Sequence, residues 1–142
     1  MAKLTETAEQ IMKERFGKDN VISLATTDKD QPYVRSVNAF YEDGAFYVLT
    51  YDLSGKMIQI AGNPKVAIAG DWFTAQGMGV NLGSFISKEN ETIAEKMKMV
   101  FAAWINNGHS NLTDPHTCIL KIKLVNGVLF SHGTRYDIDF DA

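Results

Sequence analysis

Cysteine is nearly absent from this chain. Cys118 is the only one, so no internal disulfide can form and no thiolate set for a metal exists. Long apolar runs are missing too: nothing approaches the roughly 18–20 residues of a membrane-crossing helix. The first residues, MAKLTETAEQIMKERFG, alternate charged and apolar side chains and lack the hydrophobic centre of a secretory leader, so the expected address is the cytoplasm. Clustered cations are also missing. With a net charge of −3, a nucleic-acid backbone is an unexpected partner. There are no repeats, low-complexity tracts or linkers. His109, His116 and His132 lack ligand spacing to carboxylates or Cys118, which argues against a metal centre, and no Asp–His pair for acid–base work is visible.

What remains is ordinary globular material in one domain, residues 1–142, with a 45% hydrophobic and 22% charged composition that can bury a core. Leu4, Ala8, Ile11, Met12 and Phe16 fall at helical spacing over residues 3–16, and Gly17 ends that helix. Asn20–Thr27 and Tyr33–Glu42 read as strands around the turn DKDQP. Glu42-Asp43-Gly44 is a hairpin signal leading into a strand Ala45–Thr50. Arg35 shares a strand face with Tyr33, Val37 and Ala39 and reads as an outward basic residue.

Leu53–Gly62 is expected as a short helix that opens on Ser54-Gly55-Lys56 and stops at Asn63-Pro64. Lys65–Asp71 follows as a strand, then a loop or bulge at Asp71–Thr74. Gln76–Ile86 carries Gly77, Gly79 and Gly83; glycines inside a strand mark bends, bulges or close approach, and this is not a dinucleotide fingerprint. Ser87–Asn106 is the strongest helix pattern, with Ile93, Met97, Val100, Phe101 and Trp104 in one stripe. Cys118–Leu124 alternates, Val125-Asn126-Gly127 is expected to turn, and Val128–His132 to return. GTRYDIDFDA adds a short strand or frays. The class is α+β: six to eight antiparallel strands with flanking helices, closed into a β-barrel because the strands are short, turn-connected and apolar on both faces.

A basic residue mid-strand, a hydroxyl at the next strand's end (Thr50) and a lysine at a helix start suit a phosphate ester. Taken alone, each has a plainer reading: a solvated strand arginine, or a helix cap. In order, the pieces ISLATTDKDQPYVRSV, YEDGAFYVLT and TYDLSGKMIQIAGNPKVAI resemble the FMN-binding split-barrel family of the pyridoxamine 5′-phosphate oxidases, as Trp104, Gly108, Asp114-Pro115 and Leu120-Lys121-Ile122 resemble its short general-stress-protein branch. The resemblance covers most of residues 20–125.

It implies a homodimer with FMN at the interface. It also implies FMN contacts from Arg35 and Lys56 (Lys56 at the phosphate), Thr50, Ser54, the backbone of Ser36 and Val37 along the flavin ring, and Trp104 reaching the flavin from the partner. Three departures count against pyridoxamine-phosphate oxidation itself. Gly55 stands where the family often has an arginine, and Phe40 where the oxidases carry a substrate-binding lysine. The chain also stops at Ala142, short of their longer C-terminal segment. On the Gly-rich strand, Met78 falls where some members have a ring-contacting glutamine, and Gln76 fits only with a register change. The implied activity is a small FMN oxidoreductase acting on a small molecule with reduced nicotinamide as donor. Alternatives are a flavin-binding or stress-response protein without turnover, and a haem- or deazaflavin-binding relative.

Overall fold

Among the described residues, eight strands run in the order β1-β8-β7-β4-β3-β2-β5-β6, and a further pairing of β7 with β6 closes six of them into a barrel. The structure is a computed structural model that describes residues 2–141. The strands are β1 (Ala2–Lys3), β2 (Asn20–Asp28), β3 (Gln31–Glu42), β4 (Ala45–Tyr51), β5 (Lys65–Gly70), β6 (Phe73–Ser84), β7 (Thr117–Ser131) and β8 (Thr134–Asp139). The helices are α1 (Glu6–Phe16), α2 (Gly55–Gly62) and α3 (Glu91–Val100). All pairings are antiparallel except β1 with β8.

Apolar residues on both faces of the strands have two separate destinations. The inner face packs Ile22, Leu24, Phe46, Leu120 and Ile122 inside the barrel. There α1 caps one end through Ala8, Met12 and Phe16, whose ring meets Phe46 and Phe73, each at 5.6 Å. The outer face of β3, β4 and β7 carries Phe40 and Ile119, which α3 covers with Ala94 and Met97 and the turns after it with Phe101 and Ile105. The glycines of β6 permit closure. A Cβ on Gly77 would stand 2.6 Å from the Lys123 carbonyl oxygen, and one on Gly79 2.9 Å from the Ile60 side chain of α2.

Four expectations need correction. Val125-Asn126-Gly127 does not turn: β7 runs unbroken from Thr117 to Ser131, and Val125 is the extra residue of a bulge, since Gln76 pairs with Asn126 and Gly77 with Leu124. Gly127 serves close approach instead, because a Cβ there would meet the Thr74 carbonyl oxygen at 2.9 Å. The loop or bulge expected over Asp71–Thr74 shrinks to Asp71-Trp72, the two-residue tip of the β5–β6 hairpin with Trp72 at φ 51°, while Phe73 and Thr74 already pair in β6. The long helix pattern divides into a 3-10 turn at Lys88–Asn90, α3, and irregular turns after Val100 that keep the apolar stripe on the same cluster. Residues 3–5 are not helical; Lys3 extends β1, and α1 begins after Thr5, whose hydroxyl accepts from the Ala8 N–H.

Candidate anion site at the start of the second helix

Arg35 does not face outward. Residue alternation puts it on the inner face of β3, opposite Leu24 in the register. Its guanidinium lies across the barrel mouth, donating to the Leu24 carbonyl at 3.2 Å and the Thr26 hydroxyl at 2.7 Å through Nη1, and to Gln59 Oε1 of α2 at 3.1 Å through Nη2. Gln59 Oε1 accepts from Thr26 Oγ1 as well, at 2.5 Å. All three acceptors are neutral. The arginine is therefore held in place while its positive charge stays uncompensated.

Lys56 enters from the first turn of α2 and donates to Thr50 Oγ1 at the end of β4 at 2.8 Å. Burial and the nearby Arg35 charge together push its ammonium below the ordinary lysine value; burial alone does the same to Arg35. Among the described residues, the ion pairs engage Lys96, Lys98, His116 and Arg135, and neither Arg35 nor Lys56. Two adjacent cations that burial disfavours, with no carboxylate to meet them, form a site shaped for an anion from outside the chain.

The helix start supports this. Ser54 takes the N-cap position with extended backbone, yet its hydroxyl makes no capping bond, and α2 has no acidic residue in its first turn. Ser54 Oγ is buried without a hydrogen-bond partner. A buried hydroxyl left unpaired costs free energy unless a ligand completes it. Helix N–H groups, an orphan hydroxyl, an ammonium and a guanidinium suit a phosphate dianion. At Gly55 a Cβ would meet nothing within 4 Å, so the surface beside Lys56 is open.

The sequence-predicted residues Arg35, Thr50, Ser54 and Lys56 thus gather at one place. Ser36 is exposed on the outer face of β3, and Val37 packs against the core next to Arg35. Trp104 is not brought to this group within the chain. It sits on Phe101 at 4.7 Å between ring centroids, and its indole N–H donates to Asp19 Oδ2 at 2.9 Å. Phe40, in the position of the oxidases' lysine, is buried under Phe101 and stacked on Tyr47. On β6, Gln76 is exposed and directly precedes the bulge, while Met78 is half-buried.

Sequence reasoning missed Thr26 and Gln59, as well as an Asp52–His116 pair at the adjoining strand end, where Asp52 Oδ1 lies 2.8 Å from His116 Nδ1. Only the alternation of Arg35 with Val37 and Ala39 hinted that its side chain turns inward. A concavity of about 930 Å³ between α1 and the β3–β4 turn gathers Glu6, Glu9 and Asp43 against Lys13 alone and is the wrong sign for phosphate.

Comparison with known proteins agrees with this architecture. The family model described as pyridoxamine 5′-phosphate oxidase matches residues 8–127. A solved NimC/NimA family protein from Clostridium acetobutylicum is 20% identical, with a TM-score of 0.67 over 94% of each chain. General Stress Protein 26 from Bacillus anthracis str. Sterne is 18% identical, with a TM-score of 0.66 over 92% of this chain and 98% of that one. A pyridoxamine 5′-phosphate oxidase-related, FMN-binding protein from Nostoc punctiforme is 15% identical, with a TM-score of 0.58 over 98% of both. No curated protein matches in sequence.

Proposed function

Because the chain belongs to the pyridoxamine 5′-phosphate oxidase family of split barrels, we propose that it is an FMN-dependent oxidoreductase of small molecules, working as a homodimer. The observation that carries the reading is the unpaired Arg35–Lys56 cation pair beside the orphan Ser54 hydroxyl. These residues fit the phosphate of FMN. Lys56, Ser54 and the first N–H groups of α2 would hold the phosphate, with Thr50 orienting the ammonium. Arg35, fixed by Thr26 and Gln59, supplies positive charge to the adjoining part of the ligand. When bound, the flavin ring supplies the electron chemistry, and the protein binds, orients and tunes it. The buried Phe40 leaves no cation to take a second, substrate phosphate at that position, so a substrate without phosphate fits better than pyridoxamine 5′-phosphate.

The outer face of β2, β3 and β5 supports a second copy of the chain as partner. Val21, Ser23, Ala25, Val34, Ser36 and Ala69 share it, with Lys65 at its β5 end, and Val34 is 71% exposed. A sheet face of small and apolar residues such as this can pack against another sheet. It includes β3, whose inner face carries Arg35, so a dimer formed there would bring the partner close to the cradle. An enzymatic role is favoured over a sealed flavin store because the candidate caps are engaged elsewhere. Phe73 lies in the core, Trp72 packs on Phe130 at the hairpin tip, and the tail forms β8 along β7. Titrating purified protein with FMN, with light scattering for mass, tests the reading. One flavin per chain in a two-chain particle is expected; flavin-free monomer at every concentration would refute it. Bleaching by reduced nicotinamide, with turnover on a nitroaromatic or conjugated acceptor, tests the activity.

A further inference from the structure

Beside the cradle lies a groove of about 700 Å³ between α2 and the β2–β3 turn. Asp28, Lys29 and Asp30 wall it on one side, and Gly55, Ile58 and Gln59 on the other. Two residues join it to the cradle. Gly55 stands between Ser54 and Lys56 in sequence, and Gln59 holds the Arg35 guanidinium at 3.1 Å. At the far end Asn63 Nδ2 donates to Thr27 Oγ1 at 2.9 Å, which ties the C-cap of α2 to β2 and fixes the width of the groove. The volume lies within the range of about 300–1,000 Å³ that small-molecule sites occupy.

Gln59 has one end committed and one end free. Its Oε1 accepts from Arg35 Nη2 and, at 2.5 Å, from the Thr26 hydroxyl, so the atom turned towards the barrel is the oxygen. Among the described residues no hydrogen bond takes the two Nε2 hydrogens, which remain for whatever enters the groove that Gln59 lines. The opposite face of the groove is flat. Gly55 and Gly62 stand seven residues apart, about 10 Å along the helix, and a Cβ on either would meet nothing within 4 Å. Neither has a positive φ, so no turn requires them, and glycine only weakens the helix there. Ile58, 60% exposed, lies between them and adds an apolar surface on which a ring can rest.

The turn supplies the remaining chemistry. Asp28, Lys29 and Asp30 are exposed, and the ion pairs among the described residues engage none of them. Two carboxylates against one ammonium accept from hydroxyls and disfavour phosphate along this wall. Phosphate belongs at the other end, where Gly55 opens α2 beside Ser54 and Lys56 and the helix dipole is positive. A phosphate at one end, hydroxyls along one wall and a flat ring along the other describe a nucleoside 5′-phosphate.

We propose that this groove is a second nucleotide subsite, taking a nucleoside 5′-phosphate group whose ribose hydroxyls meet Asp28 and Asp30 and whose base lies over Ile58 and the two glycines. It deepens the FMN reading and rests on the phosphate cradle described above. The group arrives in one of two ways: attached to the flavin phosphate, as in FAD, or as a separate nucleotide such as the adenylate half of a nicotinamide donor.

Calorimetric titration with FMN, FAD, AMP and 2′-deoxy-AMP tests this on the flavin-free wild type, Gly62→Leu and the Asp28→Asn, Asp30→Asn double variant, with melting curves to confirm that each folds. Gly62→Leu fills the groove with a better helix former, so it should leave FMN affinity unchanged and weaken FAD and AMP about tenfold. The wild type should prefer AMP to 2′-deoxy-AMP about tenfold, the effect of one hydroxyl on a carboxylate, and the double variant should lose that preference. AMP that competes with FMN identifies the attached form, and AMP that binds the FMN-loaded protein identifies the separate nucleotide. FAD and AMP affinities that neither variant moves, or equal binding of AMP and 2′-deoxy-AMP by the wild type, would overturn the subsite while leaving FMN binding standing. AMP binding that responds to both variants in a protein that takes up no FMN would overturn the FMN reading and keep the groove. No binding of any of the four would overturn both.

Discussion

Replacing Lys56 with methionine separates the two roles a half-buried lysine can have, because the account predicts opposite signs for ligand affinity and for the stability of the flavin-free fold. The ammonium has three N–H donors, and Thr50 takes one at 2.8 Å. The others are free for a phosphate, and losing a charge-assisted contact costs about 1.5–3 kcal/mol. FMN should therefore bind roughly 10- to 150-fold more weakly. Without ligand, the charge is a burden, since burial and Arg35 both hold Lys56 below its usual value. A group with a depressed folded-state value leaves the unfolded chain binding more protons between the two values, so stability rises with pH only there. At neutral pH the penalty is present in full, and it is relieved only as the pH climbs towards the unfolded lysine value of 10.5. The flavin-free methionine variant should thus melt higher than the wild type at neutral pH, with the gap closing in strong alkali. Flavin titration and thermal melts on the same preparations read both effects. Unchanged affinity would remove Lys56 from the phosphate; lower affinity with a lower melting temperature would make it a structural residue.

Three further outcomes follow from the same geometry. Gly55→Arg adds a cation at a position where a Cβ would meet nothing within 4 Å, so FMN should bind about tenfold more tightly, and weaker binding would place the phosphate elsewhere. Gln59→Glu puts a carboxylate against Arg35 Nη2, now 3.1 Å from the amide oxygen; FMN affinity should drop about tenfold while the flavin-free protein melts higher, and unchanged affinity would show that the free charge of Arg35 serves no ligand. Burial pushes the Cys118 thiol up to about 11, above its ordinary 9.0, so iodoacetamide should react with it in urea and hardly at all in the native protein at pH 8. Its raised folded-state value contributes stability below pH 9 that is lost as the pH rises towards 11, and rapid native labelling would refute the burial.

The parts of the fold readable from sequence were those decided locally. Asp43-Gly44 turns because both residues adopt positive φ, 47° and 81°, and the strands on either side follow the apolar alternation. Ser54-x-Lys56 and Asn63-Pro64 bracket α2 nearly as expected. Readings failed where distant chain decides. Asn126-Gly127 has turn chemistry, yet Gly127 is needed for contact with the Thr74 backbone, and the strand runs through it. The apolar stripe of 93–104 is real as a buried face but not as one helix, since periodicity reports burial and not continuity. The site divides the same way: Thr50, Ser54 and Lys56 lie within seven residues and could be read together, whereas the neutral partners of Arg35 come from β2 and α2. Asp52 and His116 are 64 positions apart and meet just beyond the paired ends of β4 and β7.

On the proposed function, the Arg35–Lys56 cradle holds the phosphate of FMN. The visible spectrum of the purified protein, before and after FMN is added, tests it most directly when coupled to mass spectrometry of whatever denaturation releases. A yellow protein is expected, or a colourless one that becomes yellow with one FMN per chain, and FMN as the released species. A protein that takes up no flavin, or that releases haem or a deazaflavin instead, would contradict it.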